Sequence, residues 1–133
     1  MGEQVYMGYR SQVVLAISKE LIPFLMLATS KNKEAEALVF RNADKFDRDY
    51  CGDKSWLLHW DSIKWYLSYP DVGAIDQFVT EAECDEYNIT DDDGNKVLSS
   101  DLIRFVRVGE DNGDIEVRGS GYLDITPVTY IEY

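Results

Sequence analysis

Apolar positions along this chain change period several times, and each change predicts an element. Val13, Val14, Leu15 and Ile17 make a short, nearly continuous apolar run, which predicts a buried strand over residues 12–17. Ser18 then stands where a helix N-cap belongs, and Glu20 places an acid in the first turn. Leu21, Phe24, Leu25 and Ala28 follow at helical spacing, with Pro23 tolerated because it lies near the start. After a break over residues 29–32, Ala35, Leu38, Val39, Ala43 and Phe46 recur every three or four positions and predict a second helix from Lys33 to Arg48. Residues 49–54 carry Gly52 among polar neighbours and read as a turn.

Residues 55–66 are the most aromatic part of the chain. Trp56, Leu58 and Trp60 alternate on one phase, whereas Ile63 and Trp65 take the other. A phase change at Asp61 and Ser62 predicts either a bulge or two short strands joined by a tight turn. Asp71 is expected to cap a helix whose apolar stripe is Val72, Ile75, Phe78, Val79 and Ala82. Beyond Cys84 the pattern becomes β. Asp93-Gly94-Asn95 predicts a turn between residues 87–90 and 96–98. Asn112-Gly113 predicts a type I′ hairpin joining residues 102–108 to 115–118. Gly119 and Gly121 mark another reversal, after which Leu123, Ile125, Thr129 and Ile131 are expected on one face of a terminal strand that Pro127 bends or places at an edge. The order β-α-α-β-α followed by an antiparallel run gives an α+β fold, a two-layer sandwich with two or three helices on one face of a mostly antiparallel sheet. With 133 residues and no linker, one domain over residues 1–133 is expected, Met1–Tyr6 being a dispensable extension if Met7 is the true start.

Charge adds what periodicity does not show. The chain carries a net −12, and residues 71–116 hold fourteen acids against Lys96, Arg104 and Arg107. The first seventy residues balance at nine acids and nine bases. Clustered like charges repel in the compact state, so so uneven a distribution suggests an interaction surface. Such acidity opposes binding to duplex DNA or to an anionic membrane, because phosphate contacts need Lys and Arg. The expected partner is instead a basic protein surface, with no direct nucleic acid and no membrane. A homodimer through the terminal strand is a further alternative. No apolar stretch reaches the length of a membrane span or resembles a signal peptide, so a cytoplasmic location is expected. Cys51 and Cys84 are then most simply free thiols.

Signatures of catalysis are sparse. His59, the single histidine, has no nucleophile or orienting acid beside it in sequence. Zinc-ligand spacings, a Walker loop, a dinucleotide fingerprint and a nucleophile elbow are all missing. Asp91, Asp93 and Asn95 occupy the first, third and fifth places of an EF-hand-like loop, but Lys96 replaces the required glycine and Leu102 the terminal glutamate. No metal or cofactor is therefore assigned, although a cation at residues 91–93 or 110–114 stays open. The alternative function is a small enzyme, or a ligand- or divalent-cation-binding module, using clustered carboxylates.

The partner-binding residues expected on these grounds are Asp71, Asp76 and Glu83 on the acidic helix, Asp91, Asp92 and Asp93 in one loop, and Glu110, Asp111 and Asp114 in another. Core packing is expected for at least two of the tryptophans, and of Trp65, Tyr66 and Tyr69, which border this acidic third, one or more are expected to serve as aromatic anchors. Several motifs add a setting: Met7-Gly8-Tyr9-Arg10-Ser11; Ser62-Ile63-Lys64-Trp65-Tyr66 followed by Tyr69-Pro70-Asp71-Val72; and Phe105-Val106-Arg107-Val108-Gly109-Glu110-Asp111 running into Asp114-Ile115-Glu116. Together they resemble a family of small accessory proteins of tailed bacteriophages and prophages, from whose usual start Met1–Tyr6 departs. The resemblance implies a non-enzymatic inhibitor of host machinery or defence, of anti-restriction or anti-CRISPR type, and no catalytic residues. The uneven charge distribution itself, apart from the resemblance, suggests an acidic face that imitates a row of phosphates, the alternative being a solubilising face.

Overall fold

The computed structural model describes residues 8–127 and 130–133. Its centre is an antiparallel five-stranded sheet in the order β2-β3-β1-β6-β7, formed by β1 (Ser11–Ile17), β2 (Lys45–Tyr50), β3 (Ser55–Ile63), β6 (Ile103–Gly109) and β7 (Ile115–Arg118). β1 is the middle strand, buried on both faces, which is why its sequence is an apolar run rather than an alternation.

Three helices cover one face: α1 (Ile22–Thr29), α2 (Lys33–Phe40) and α3 (Pro70–Glu83). Val13, Leu15 and Ile17 of β1 pack toward them with Leu58, Trp60, Ile103 and Phe105, against Leu25, Leu38 and the α3 stripe of Val72, Ile75, Phe78, Val79 and Ala82. The opposite face, with Val14, Ala16, Leu57 and Val106, is covered by Ile125 and Ile131 from the C-terminal segment. The α+β architecture expected from the sequence is thus present, with a strap of chain over the second sheet face.

Several local expectations are corrected. The helix expected over residues 33–48 stops at Phe40. Asn32 caps it by accepting the Ala35 N–H at 2.5 Å, and the Arg41 and Asn42 N–H groups both close onto the Ala37 carbonyl. Residues 45–50 then form β2, which pairs along β3 and covers backbone groups that would otherwise line an open edge. Phe46 keeps its core role in this strand, packing edge-on against Trp56 at 5.0 Å. Ser18 caps through its backbone alone: its carbonyl accepts the Leu21 N–H, and α1 is preceded by a 3₁₀ turn, Lys19–Leu21. Tyr69, not Asp71, is the N-cap of α3, with Pro70 at the first helical position and Asp71 one residue inside.

The phase change in β3 is a bulge. Ser11 pairs with Ile63 but Val13 with Trp60, so one extra residue lies between them and brings Ile63 back to the helical side. β4 (Ile89–Thr90) and β5 (Lys96–Val97) form the small hairpin expected around Gly94. Asn112 lacks the positive φ of a type I′ pair; Gly113 alone has it, at 84°, within the loop between β6 and β7. The terminal strand is instead a short hairpin of β8 (Thr126–Pro127) and β9 (Ile131–Glu132). Ile125 and Ile131 face inward, whereas Leu123 is exposed; Met1–Tyr6 and Thr129 lie outside the described residues. Among those residues, no helix is long and apolar enough to cross a membrane.

Candidate functional site

The acids of residues 71–116 separate into paired and unpaired groups. Phe105 pairs with Arg118 and Arg107 with Glu116 across β6 and β7, so all four side chains share the helical face of the sheet. Arg118, whose side chain is 14% exposed, extends from this edge to α3: Nη1 lies 2.6 Å from Asp76, Nε 3.3 Å from Glu83, and Nη2 donates to Thr80 Oγ1 at 2.5 Å. Arg107 holds Asp114 at 2.8 Å and Glu116 at 3.1 Å. Asp114 also accepts from the Tyr9 hydroxyl. The Arg107 guanidinium, then the Tyr9 hydroxyl, lower its carboxyl to about pKa 2. Gly109 makes this clasp feasible, because a Cβ there would collide with the Asp114 carboxylate and the Tyr9 hydroxyl.

Asp76, Glu83 and Asp114, expected to meet a partner, are therefore engaged inside the fold. Sequence reasoning missed Arg118 because it lies two residues beyond the acidic window and 35 to 42 positions from its helical partners. Its only signal was the alternation that places it opposite Phe105. Asp71 is half-buried in the first turn of α3, its Oδ1 accepting the Val72 N–H at 2.8 Å. Asp91 is likewise occupied, its Oδ1 accepting the N–H groups of Asp93 and Asn95 at 2.9 Å.

Asp92, Asp93, Glu110 and Asp111 remain exposed. The Asp92 side chain is 77% exposed and pairs with Lys19, just beyond the end of β1. Glu110 accepts the Arg10 backbone N–H, just before β1 begins. The two exposed acidic loops thus stand beyond opposite ends of a seven-residue strand that is itself about 20 Å long. They do not merge into one cluster.

Of the expected aromatic anchors, Trp65 is 8% exposed and packs against Trp60 at 5.4 Å and Phe105 at 5.9 Å. Its place is in the core. Tyr66 is half-buried and donates to the Tyr9 carbonyl at 3.0 Å, while Tyr69, 40% exposed, packs against it at 5.0 Å.

His59 sits on the strap side. Gln12 Oε1 accepts the Ile131 N–H at 2.9 Å, which leaves the Gln12 amide nitrogen to donate to His59 Nε2 at 3.0 Å. The histidine proton is then on Nδ1, donated to the Tyr133 hydroxyl at 2.7 Å. Burial lowers its pKa, against the pull of Asp61 and Asp44. The histidine ties the strap to the sheet. Both cysteines are free and exposed, and among the described residues no group of three or more His, Cys, Asp or Glu is placed to hold a metal ion.

Another concavity lies between α1 and α3. Phe24 stacks on Tyr87 with centroids 4.4 Å apart, and the Tyr87 hydroxyl donates to Glu81 Oε1 at 2.7 Å. Burial, then Glu81, raises the Tyr87 pKa well above the usual tyrosine value, so its hydroxyl remains a donor. Sequence periodicity had placed Tyr87 only in a strand. No protein-family model matches the chain, and no match is found among curated proteins or solved structures.

Proposed function

We propose that this chain is a non-enzymatic binding protein whose acidic flank engages a basic surface of a host or defence protein, in the manner of a phage-encoded inhibitor. The carrying observation is the acid surplus of residues 71–116: after Arg107 and Arg118 engage Asp76, Glu83, Asp114 and Glu116, exposed carboxylates remain at Asp92, Asp93, Glu110 and Asp111. Carboxylates held at fixed places on a folded scaffold support nucleic-acid mimicry, because a basic nucleic-acid groove is built to meet negative charge. The resemblance of three motifs to phage accessory proteins supports the setting in a host cytoplasm.

The test is affinity capture from bacterial lysate at two salt concentrations, with duplex DNA as competitor. Recovery of a basic, nucleic-acid-binding protein that both DNA and high salt displace is the expected result. Capture that neither one affects would oppose the reading.

A further inference from the structure

The groove between α1 and α3 is partly open to solvent and has a volume of about 180 Å³. An apolar cavity of about 150 Å³ is enough to hold one benzene ring, so the groove has room for one planar group of similar size. Its aromatic wall is the stacked pair Phe24 and Tyr87, backed by the buried Phe78 6.0 Å from Tyr87, and Ala28 and Ala74 leave the space open between the helices. On the α3 rim, Glu81 is held by two neutral donors: Tyr87 on Oε1 and Gln77 on Oε2, at 3.3 Å. Each oxygen retains a second lone pair, and Glu81 enters no ion pair among the described residues. The carboxylate is fixed in place but not neutralised.

A planar cation that can stack on aromatic rings and bond a carboxylate through two parallel N–H groups matches this chemistry, and among side chains that describes arginine. Lysine offers a compact, strongly hydrated ammonium instead. Lys31, just after α1, also lines the groove and opposes any incoming cation, so one arginine engaged by Glu81 suits it better than a run of bases. Leu27, exposed beside it, offers apolar surface to the aliphatic stem.

We propose that this groove anchors a single arginine side chain of the basic partner, with Glu81 as its counter-ion; the proposal rests on the acidic-flank reading above. The probes are two acetylated, amidated peptides of alternating lysine and glycine, one with arginine replacing the central lysine, titrated against the full chain in 150 mM salt. The arginine peptide is expected to bind about tenfold more tightly than the all-lysine peptide. Glu81→Gln, which retains an acceptor for Tyr87, and Ala74→Met, which fills the groove without changing charge, should each abolish that difference while leaving lysine-peptide binding in place. Circular dichroism and a melting curve establish that both variants fold. Equal affinity of the wild-type chain for the two peptides, or an arginine preference that survives both substitutions, overturns the anchor while leaving the acidic flank standing. Failure of both peptides to bind, even at 50 mM salt, overturns both readings.

Discussion

Arg118 and Asp76 lie 42 residues apart in sequence and 2.6 Å apart in space, tying the edge strand β7 to α3. Their pairing turns part of the acidic third into an internal device: Glu83, Thr80 and Glu116 gather around the same guanidinium. Removing the cation leaves Asp76 and Glu83 without their counter-ion, beside Glu116, which Arg107 still holds. Arg118→Met should therefore destabilise the fold by about 2 kcal/mol, between the values for exposed and buried pairs. Urea unfolding measures this, and added salt should recover part of the loss by screening the repulsion.

Trp65 and Tyr69 should respond differently to truncation. Trp65→Ala removes a ring packed on Trp60 and Phe105 and should cost about 3–5 kcal/mol in the same unfolding measurement. Tyr69→Ala removes a partly exposed ring and should cost about 1 kcal/mol or less. Equal losses would contradict their placement.

The fold was legible where one physical signal acted alone. The buried run of β1 and the α3 stripe from Val72 to Ala82 fall where periodicity puts them, because each must bury a continuous face. Residues 41–48 misled because Ala43 and Phe46 fit a helical period, yet Phe46 reaches the same aromatic cluster from a strand. Leu123 misled because alternation cannot foresee that the strap folds into a short hairpin. The candidate surface was legible only in its charge. Asp92, Asp93, Glu110 and Asp111 are exposed as expected, but the sequestration of Asp76, Glu83 and Asp114 depends on Arg107 and Arg118 being carried to them by strand register and helix packing.

Asp114 should confer an acid-sensitive part of the stability. Its carboxyl is held at about 2, below the ordinary aspartate value of about 3.9, so the contribution is complete above about pH 5 and is lost as pH falls through 2. Asp114→Asn should flatten stability over that window relative to the wild type, as measured by urea unfolding at each pH. Tyr9→Phe should reproduce part of the change, since it removes one of the three hydrogen bonds to the Asp114 carboxylate.

The His59 clasp acts in a higher pH range. Burial lowers the folded pKa below the reference of about 6.5, so the neutral form contributes stability that is present above 6.5 and lost as pH falls through the folded value. Protonation places a second N–H against the Gln12 amide donor and sets the Ile131 bond in competition. Amide exchange at Ile131, corrected for intrinsic rate, should accelerate between pH 7 and pH 5, with core amides of β1 far less affected. A pH-independent protection factor at Ile131 would contradict the clasp.

The most direct test of the acidic flank is the salt dependence of its binding to the arginine-bearing basic peptide, with wild type compared to a variant carrying Asp92→Lys, Asp93→Lys, Glu110→Lys and Asp111→Lys. Wild-type affinity should fall steeply from 50 mM to 500 mM salt, and the variant should bind at least about tenfold more weakly at the low-salt end. Equal affinity of the two proteins, or binding that persists unchanged at 1 M salt, would contradict a function based on that surface.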